Sequence, residues 1–287
     1  MKRYFVFGDI HGFYTKFRQT LKKSGFDQNN PEHILLSLGD EFDRGTEAKK
    51  LLNFLLKMKK LNRLIMIKGN HTSLMWECLA EINTYGRVIS DNHYSNGTVG
   101  TIAQLTNDDE ITKALNLWYE LTDSEIEKIN KAMKKWQGLV RDNRMYLELG
   151  RYIFVHGWIP FDSADANMYH SRKTITYHEG WRDLPDFSPL WDSATWLGFP
   201  TAIKCNCFEP EKTIVCGHWH CSAYWGDIKR ERKPFPEKNR KDWQKSFEPA
   251  ITEEFIAIDA CTAYSGLINI LVFGEISEDN AVLLDNI

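Results

Sequence analysis

The sequence predicts an α/β protein, and three features of the chain lead there. Five short apolar, β-prone runs each end beside glycine in an aspartate, asparagine or histidine: FVFGDIHG (residues 5–12), ILLSLGDEFDRG (34–45), LIMIKGNH (64–71), YIFVHG (152–157) and TIVCGHWH (213–220). The first third of the chain alternates such runs with amphipathic segments, and β-prone runs return near 144–149, 151–156, 254–259 and 267–273. Alternating βαβα with tight junctions argues for a largely parallel sheet covered by helices. Strand ends are where an open α/β sheet gathers its chemistry, so the five motifs are expected to meet at one site.

The elements follow in order. After His11, Phe13, Phe17 and Leu21 recur at i, i+4 and i+8, which predicts a helix that Gly25 can close. A second helix is expected from about Thr46 to Lys59, with Leu51, Leu52, Leu55 and Met58 on its apolar stripe. Residues 72–83 read as helix, 91–100 as a polar, glycine- and asparagine-containing stretch, and a further helix is expected to start near Thr106 or Asn107. Another starts at Thr122-Asp123-Ser124-Glu125, which has the form of a capping box. Residues 72–142 are therefore expected to be a helical insertion beside the site. Gly150-Arg151 suits a hairpin turn, and 158–212, rich in Trp, Pro and Asp, reads as loop and short helix. The whole of 1–287 is expected to be one domain.

Bulk composition narrows the function. With 43% apolar and 26% charged residues in 287, the chain resembles an ordinary globular protein. A net charge of −3 gives no global reason to expect nucleic-acid or membrane binding. No stretch approaches the ~20 apolar residues that span a bilayer, and the N-terminus lacks a signal peptide's apolar core. Six cysteines show no paired CxxC pattern, and Cys205-x-Cys207 is too isolated for a zinc site, so reduced thiols in a cytoplasmic protein are expected. One charged segment stands out. A basic loop is expected over 228–246, and Pro234 and Pro236 argue against helix there. It reads either as a solvated loop or as a device steering phosphorylated substrates.

Asp, Asn and His are the ligands of an oxygen-and-imidazole metal centre. In Asp9-x-His11 the spacing puts both side chains on one side of an extended backbone. Asp40 can bridge two cations through its two oxygens, Asn70 offers an amide oxygen, and His156 and His218 offer imidazoles. Two cations ~3.5–4 Å apart can share a bridging hydroxide that attacks phosphorus. Arg44 can hold phosphate by its fork of donors, His71 can protonate the leaving oxygen, and Asp43 can orient His71. A plain surface ion pair between Asp43 and Arg44 is the alternative.

At these residues the chain resembles the calcineurin-like metallophosphoesterases, and within them the phosphoprotein phosphatase branch. That branch includes bacterial and phage serine/threonine phosphatases and is related to symmetrical diadenosine tetraphosphatases. Its pattern of GDxHG, GDxxDRG, GNH, HG and GH stands here at Gly8–Gly12, Gly39–Gly45, Gly69–His71, His156-Gly157 and Gly217-His218. The resemblance implies a β-sandwich with flanking helices. It also implies one metal held by Asp9, His11 and Asp40, and a second held by Asp40, Asn70, His156 and His218. His71 would be the general acid supported by Asp43, and Arg44 would bind phosphate.

The chain departs from that pattern in places. Thr72 follows Asn-His where protein phosphatases usually have Glu. The segment Trp191–Trp196 lacks their second phosphate-binding arginine, for which Arg172 or Arg182 could substitute. His220 extends the last motif to a GHxH form and is a candidate further ligand. Tyr264, Trp158, Trp219 and Trp225 are candidate substrate contacts, with plain packing as the alternative. The implied function is hydrolysis of a phosphomonoester by two divalent ions, manganese first, with iron or zinc possible. The first reading is a serine/threonine protein phosphatase, the second a dinucleoside polyphosphate hydrolase, and the third an inactive relative that binds a partner. Substrates would be a phosphorylated protein or a small phosphate.

Overall fold

A computed structural model describes residues 2–162, 175–229, 243–277 and 280–286. The chain forms two five-stranded sheets, the β-sandwich that the resemblance implied, and each mixes parallel and antiparallel strands where the alternation alone argued for a largely parallel sheet. In the first, β1 (Arg3–Phe7), β2 (His33–Ser37) and β3 (Leu64–Met66) run parallel, with Phe5 opposite Leu35 and Leu36 opposite Ile65. The antiparallel hairpin of β9 (Leu271–Ser277) and β10 (Asn280–Asn286) extends it to the order β10-β9-β1-β2-β3. In the second sheet, β5 (Tyr152–Val155), β6 (Thr213–His220) and β8 (Phe255–Asp259) are parallel. They are edged by antiparallel β4 (Tyr146–Leu149) and β7 (Ala250–Ile251).

Side-chain alternation along β1 explains the layering. Tyr4 and Val6 join Leu36, Phe154, Val215, Ile256 and Phe273 in a core contributed by both sheets. Phe5 and Phe7 point the other way, into a core with Phe17, Leu21, Leu51 and Leu55. Those four come from α1 (Tyr14–Lys23) and α2 (Ala48–Lys60), which lie close to the expected spans. The outer face of the second sheet packs Ile153, Ile214 and Phe255 against Trp191, Leu197 and Phe199. The result is a β-sandwich with helices on both sides.

Between β3 and β4 lie α3 (Asn70–Tyr85), α4 (Asp91–Ser95), α5 (Thr98–Thr106), α6 (Asp109–Asn116) and α7 (Asp123–Val140). The capping box at Thr122 and Glu125 opens α7 with both of its reciprocal hydrogen bonds. Two expectations are corrected here. The 91–100 stretch is largely helical, and Thr106 ends a helix, with Asn107 as its left-handed cap, so the next begins at Asp109. Gly97 and Gly100 hid α5, but Val99, Ile102 and Leu105 are buried at helical spacing and hold it in place. The 158–212 region carries a long helix, α8 (Pro189–Cys205), kinked at Gly198. The basic stretch falls mostly outside the described residues, as does Arg172. Among the described residues no helix is long and apolar enough to cross a membrane.

Candidate active site

The five motifs leave their strands at neighbouring ends of the two sheets, and their backbones are unusual. Of twelve non-glycine residues with positive φ among those described, six are Asp9, His11, Asp40, Asp43, Arg44 and His218. Left-handed backbone at non-glycine residues costs about 1–3 kcal/mol each and persists only where the surroundings impose it. Close approach explains one motif glycine: a Cβ on Gly69 would lie 2.1 Å from Asp40 Oδ1.

Two groups of candidate metal ligands share Asp40. One is His11, Asp40 and His71; the other is Asp40, His156 and His218, with ligand atoms in each group within 4.8 Å of one another. Asn70 Oδ1 joins the second group, 2.9 Å from His156 Nε2 and 3.0 Å from His218 Nδ1. His11 Nδ1 donates to the Phe42 carbonyl and His156 Nδ1 to that of Leu38, which leaves both Nε2 atoms facing inward. Asp9 is buried alongside, accepting from the His218 amide at 3.1 Å, but it is not in the first group, where His71 stands instead.

Electrostatics fit cations at this place. Burial, reinforced by the charges of Asp259 and Asp40, pushes the Asp9 carboxyl well above its usual range. Burial likewise raises Asp259. Burial also opposes the charge of Asp40, yet His156 and His71 outweigh it and hold that carboxyl well below the usual range. Burial brings His11 and His218 down to about 3, so both imidazoles offer free lone pairs. The neutral imidazoles of His11 and His218, with the Asp9 and Asp40 carboxyls and the Asn70 amide oxygen, form a donor set for divalent ions of the manganese, iron and zinc kind. Burial works to lower the pKa of His156, but the charge of Asp40 outweighs it and raises it to about 10, so this imidazole would release its proton on joining them.

Beside these ligands sits a second arrangement. Asp43 is fully buried, and its Oδ2 is 2.7 Å from His71 Nδ1 and accepts from Thr98 Oγ1 at 2.9 Å. The Asp43 amide donates to Thr101 Oγ1. Burial works against a charge on His71, but the charge of Asp40 and the hydrogen bond that His71 donates to Asp43 prevail and raise its pKa. Arg44 is exposed, with Nη2 3.4 Å from both His71 Nε2 and Asn96 Oδ1.

A profile of the calcineurin-like phosphoesterases matches residues 2–222. The chain belongs to that family. As a calcineurin-like metallophosphoesterase it is a hydrolytic phosphatase. The asymmetrical bis(5'-nucleosyl)-tetraphosphatase PrpE of Anoxybacillus flavithermus is 28% identical over 196 residues, 65% of this chain and 70% of that protein. The symmetrical bis(5'-nucleosyl)-tetraphosphatase of Buchnera aphidicola is 39% identical over 71 residues, 25% of this chain and 24% of that one. The serine/threonine-protein phosphatase PP1-delta of Caenorhabditis elegans is 37% identical over 83 residues, 28% and 25% of the two chains. The last two matches span only about a quarter of those relatives.

In this phosphoesterase a cavity of about 340 Å³ opens over the site. Asp9, His11, Asp40, Arg44, Asn70, His71, His218 and His220 line it, together with Asn96, Trp196, Trp219 and Asp259. His220 lies outside both ligand groups, with Nε2 3.7 Å from Asp259 Oδ2. Several candidates stand elsewhere. Arg182 pairs with Glu148 and Glu209, Trp158 is buried against Phe208 and Phe255, and Trp225 donates to the Glu248 carbonyl. Tyr264 packs edge-on against Trp243 and is not in the cavity lining. Asn96, Asp259 and Trp196 were missed. Their one available signal was proximity in sequence to segments already suspected.

Proposed function

We propose that this phosphoesterase hydrolyses phosphate esters and anhydrides of small molecules at a two-cation site. The carrying observation is the Asp43–His71 hydrogen bond of 2.7 Å, set beside Arg44 at the edge of the shared-Asp40 ligands. Asp9, His11 and Asp40 would hold one cation; Asp40, Asn70, His156 and His218 would hold the other. When bound, such a pair polarises phosphoryl oxygens and acidifies water at neutral pH. The chain's own groups do the rest. Asp43 fixes the His71 ring through Nδ1, so Nε2 is the atom that passes a proton to the leaving oxygen. Arg44 holds the phosphoryl oxygens through charge-assisted N–H bonds and keeps the leaving oxygen within reach of His71. Asn96 limits the swing of the guanidinium.

The substrate reading reverses the order that the motifs suggested. Arg44 is the one arginine among the described residues lining the cavity, and Arg182 is engaged by two glutamates. A volume of about 340 Å³ lies within the range of small-molecule sites, roughly 300–1,000 Å³. The tetraphosphatase relative also matches over 70% of its length. These points favour a nucleotide anhydride such as a dinucleoside polyphosphate over phosphoserine or phosphothreonine. All six cysteines are free thiols, which suits a reducing, cytoplasmic setting.

With manganese loaded, turnover of diadenosine tetraphosphate, para-nitrophenyl phosphate and phosphoserine peptides tests the reading. A clear preference for the dinucleotide is expected. A preference for the peptides would return the protein-phosphatase reading to first place. A metal-loaded protein that turns over none of them would leave only a binding role.

A further inference from the structure

Trp196, in the segment that lacks the second arginine of the protein phosphatases, lines the cavity. It is 58% exposed, and its ring stands at 83° to the imidazole of His218 with centroids 5.0 Å apart. Exposed aromatics are common on this surface, but among the described residues Trp196 is the one that lines the same cavity as His71 and Arg44, so its free face is open to whatever enters there. The backbone beneath it is tightly specified. Trp219 Nε1 donates to the Thr195 carbonyl at 3.2 Å, one residue before Trp196. Two residues after it, Gly198 has φ +51, and a Cβ there would come 2.3 Å from the Trp219 ring. Leu197 between them is buried in the core of the second sheet. Residues 195–198 are thus clamped to the GHWH motif, and Trp196 is presented to the cavity from a rigid base.

The same cavity is lined by Arg44, Asn96 and His71, which are polar and suited to a phosphoryl group. A substrate filling the space therefore meets both hydrogen-bond donors and an indole. We propose that Trp196 is a specificity-determining residue that stacks on a planar aromatic portion of the substrate, a nucleobase or an aryl ring. This rests on the phosphohydrolase reading above and deepens it. Stacking of a base on an aromatic side chain is sequence-tolerant, because every base has a π face, so the platform selects for aromaticity more than for one base.

Adenosine 5'-monophosphate and ribose 5-phosphate carry the same phosphorylated sugar and differ by the base, so their ratio isolates the platform. Affinities of both for the manganese-loaded protein are measured by calorimetry, and kcat/KM for both by phosphate release. The wild type is expected to favour the base-bearing compound by on the order of 10- to 100-fold. In Trp196→Ala that ratio collapses toward one, and in Trp196→Phe it recovers substantially. Equal losses on both compounds in Trp196→Ala, with a ratio unchanged from wild type, would mean that the indole only shields His218 and would overturn the proposal. Wild-type protein that binds and cleaves neither compound, yet cleaves phosphopeptides, overturns the small-molecule reading and the stacking role together. Retained calorimetric discrimination in Trp196→Ala overturns the stacking role alone.

Discussion

Thr98 Oγ1 donates to Asp43 Oδ2 at 2.9 Å, the same oxygen that lies 2.7 Å from His71 Nδ1. A residue at the start of α5, far along the chain, thereby sets the carboxylate that sets the proton donor. The rest of α5 supports the same loop. Thr101 accepts from the Asp43 amide, and Gln104 Nε2 donates to the Gly45 carbonyl. Removing the hydroxyl in Thr98→Val leaves Asp43 with one fewer donor in a fully buried place. A hydrogen bond to a charged group contributes about 1.5–3 kcal/mol, so a loss of about 1–2 kcal/mol in denaturant unfolding is expected. A roughly tenfold fall in kcat with KM little changed is expected from steady-state assays, because the substitution loosens the proton donor and leaves the phosphate contact of Arg44 alone.

His71 stands both in a candidate ligand group and in the hydrogen bond with Asp43, and one substitution separates the two roles. For His71→Asn, kcat is expected to fall by about 10²–10⁴-fold, the usual worth of general acid catalysis. Metal content after manganese reconstitution, read by elemental analysis, should stay at the wild-type stoichiometry. Loss of one equivalent of metal would identify His71 as a ligand in place of Asp9.

Gly69 tests the packing around Asp40. A Cβ there would lie 2.1 Å from Asp40 Oδ1 and 2.7 Å from the Asp40 amide. Gly69→Ala is expected to displace the shared carboxylate, costing about 1–3 kcal/mol of stability as an overpacking change. Bound metal should fall, as measured by the same elemental analysis.

Cations that bind only the folded protein raise its melting temperature by mass action. Chelator-treated protein is therefore expected to melt lower, and manganese to restore the transition in a concentration-dependent manner. Asp9→Asn, which removes one buried carboxylate, should weaken the manganese dependence. A melting temperature indifferent to metal would count against the two-cation centre.

A pH prediction concerns Glu47, away from the ligands. Its carboxylate accepts from Thr15 Oγ1 at 2.7 Å and from the Thr15 amide at 2.8 Å. These bonds, with Lys50 behind them, bring its pKa down to about 2 from the usual 4.5. The folded pKa lies below the unfolded one, so the stabilisation is present above about pH 4.5 and is lost as pH falls toward 2. The melting-temperature gap between wild type and Glu47→Gln should be widest above pH 5 and close as pH falls toward about 2. Because the side chain is partly exposed, the gap should be modest and shrink with salt.

The motif residues were legible because each carries a local mark, an apolar run, a glycine and then a ligand type; the positive φ of Asp9 and His11, where extended backbone was expected, was not. Asp9, Asp40 and His218 share that mark, and the structure places them on one cavity. Thr98, Asn96, Asp259 and Trp196 carry none. Asp259 reads as the end of one more strand, and Asn96 and Thr98 sit in a stretch whose glycines suggested loop.

From its residues alone, this chain determined the α/β alternation, the first two helices, the capping box of α7 and the ligand types at strand ends. These depend on side-chain periodicity and local backbone preference, which are written within a few residues. Tertiary structure alone decided the mixed strand order of the two sheets, the docking of α5 on Asp43 and the placing of Trp196 at the cavity wall. Those depend on which apolar faces bury one another across long separations in the chain, and no local window of sequence carries that free energy.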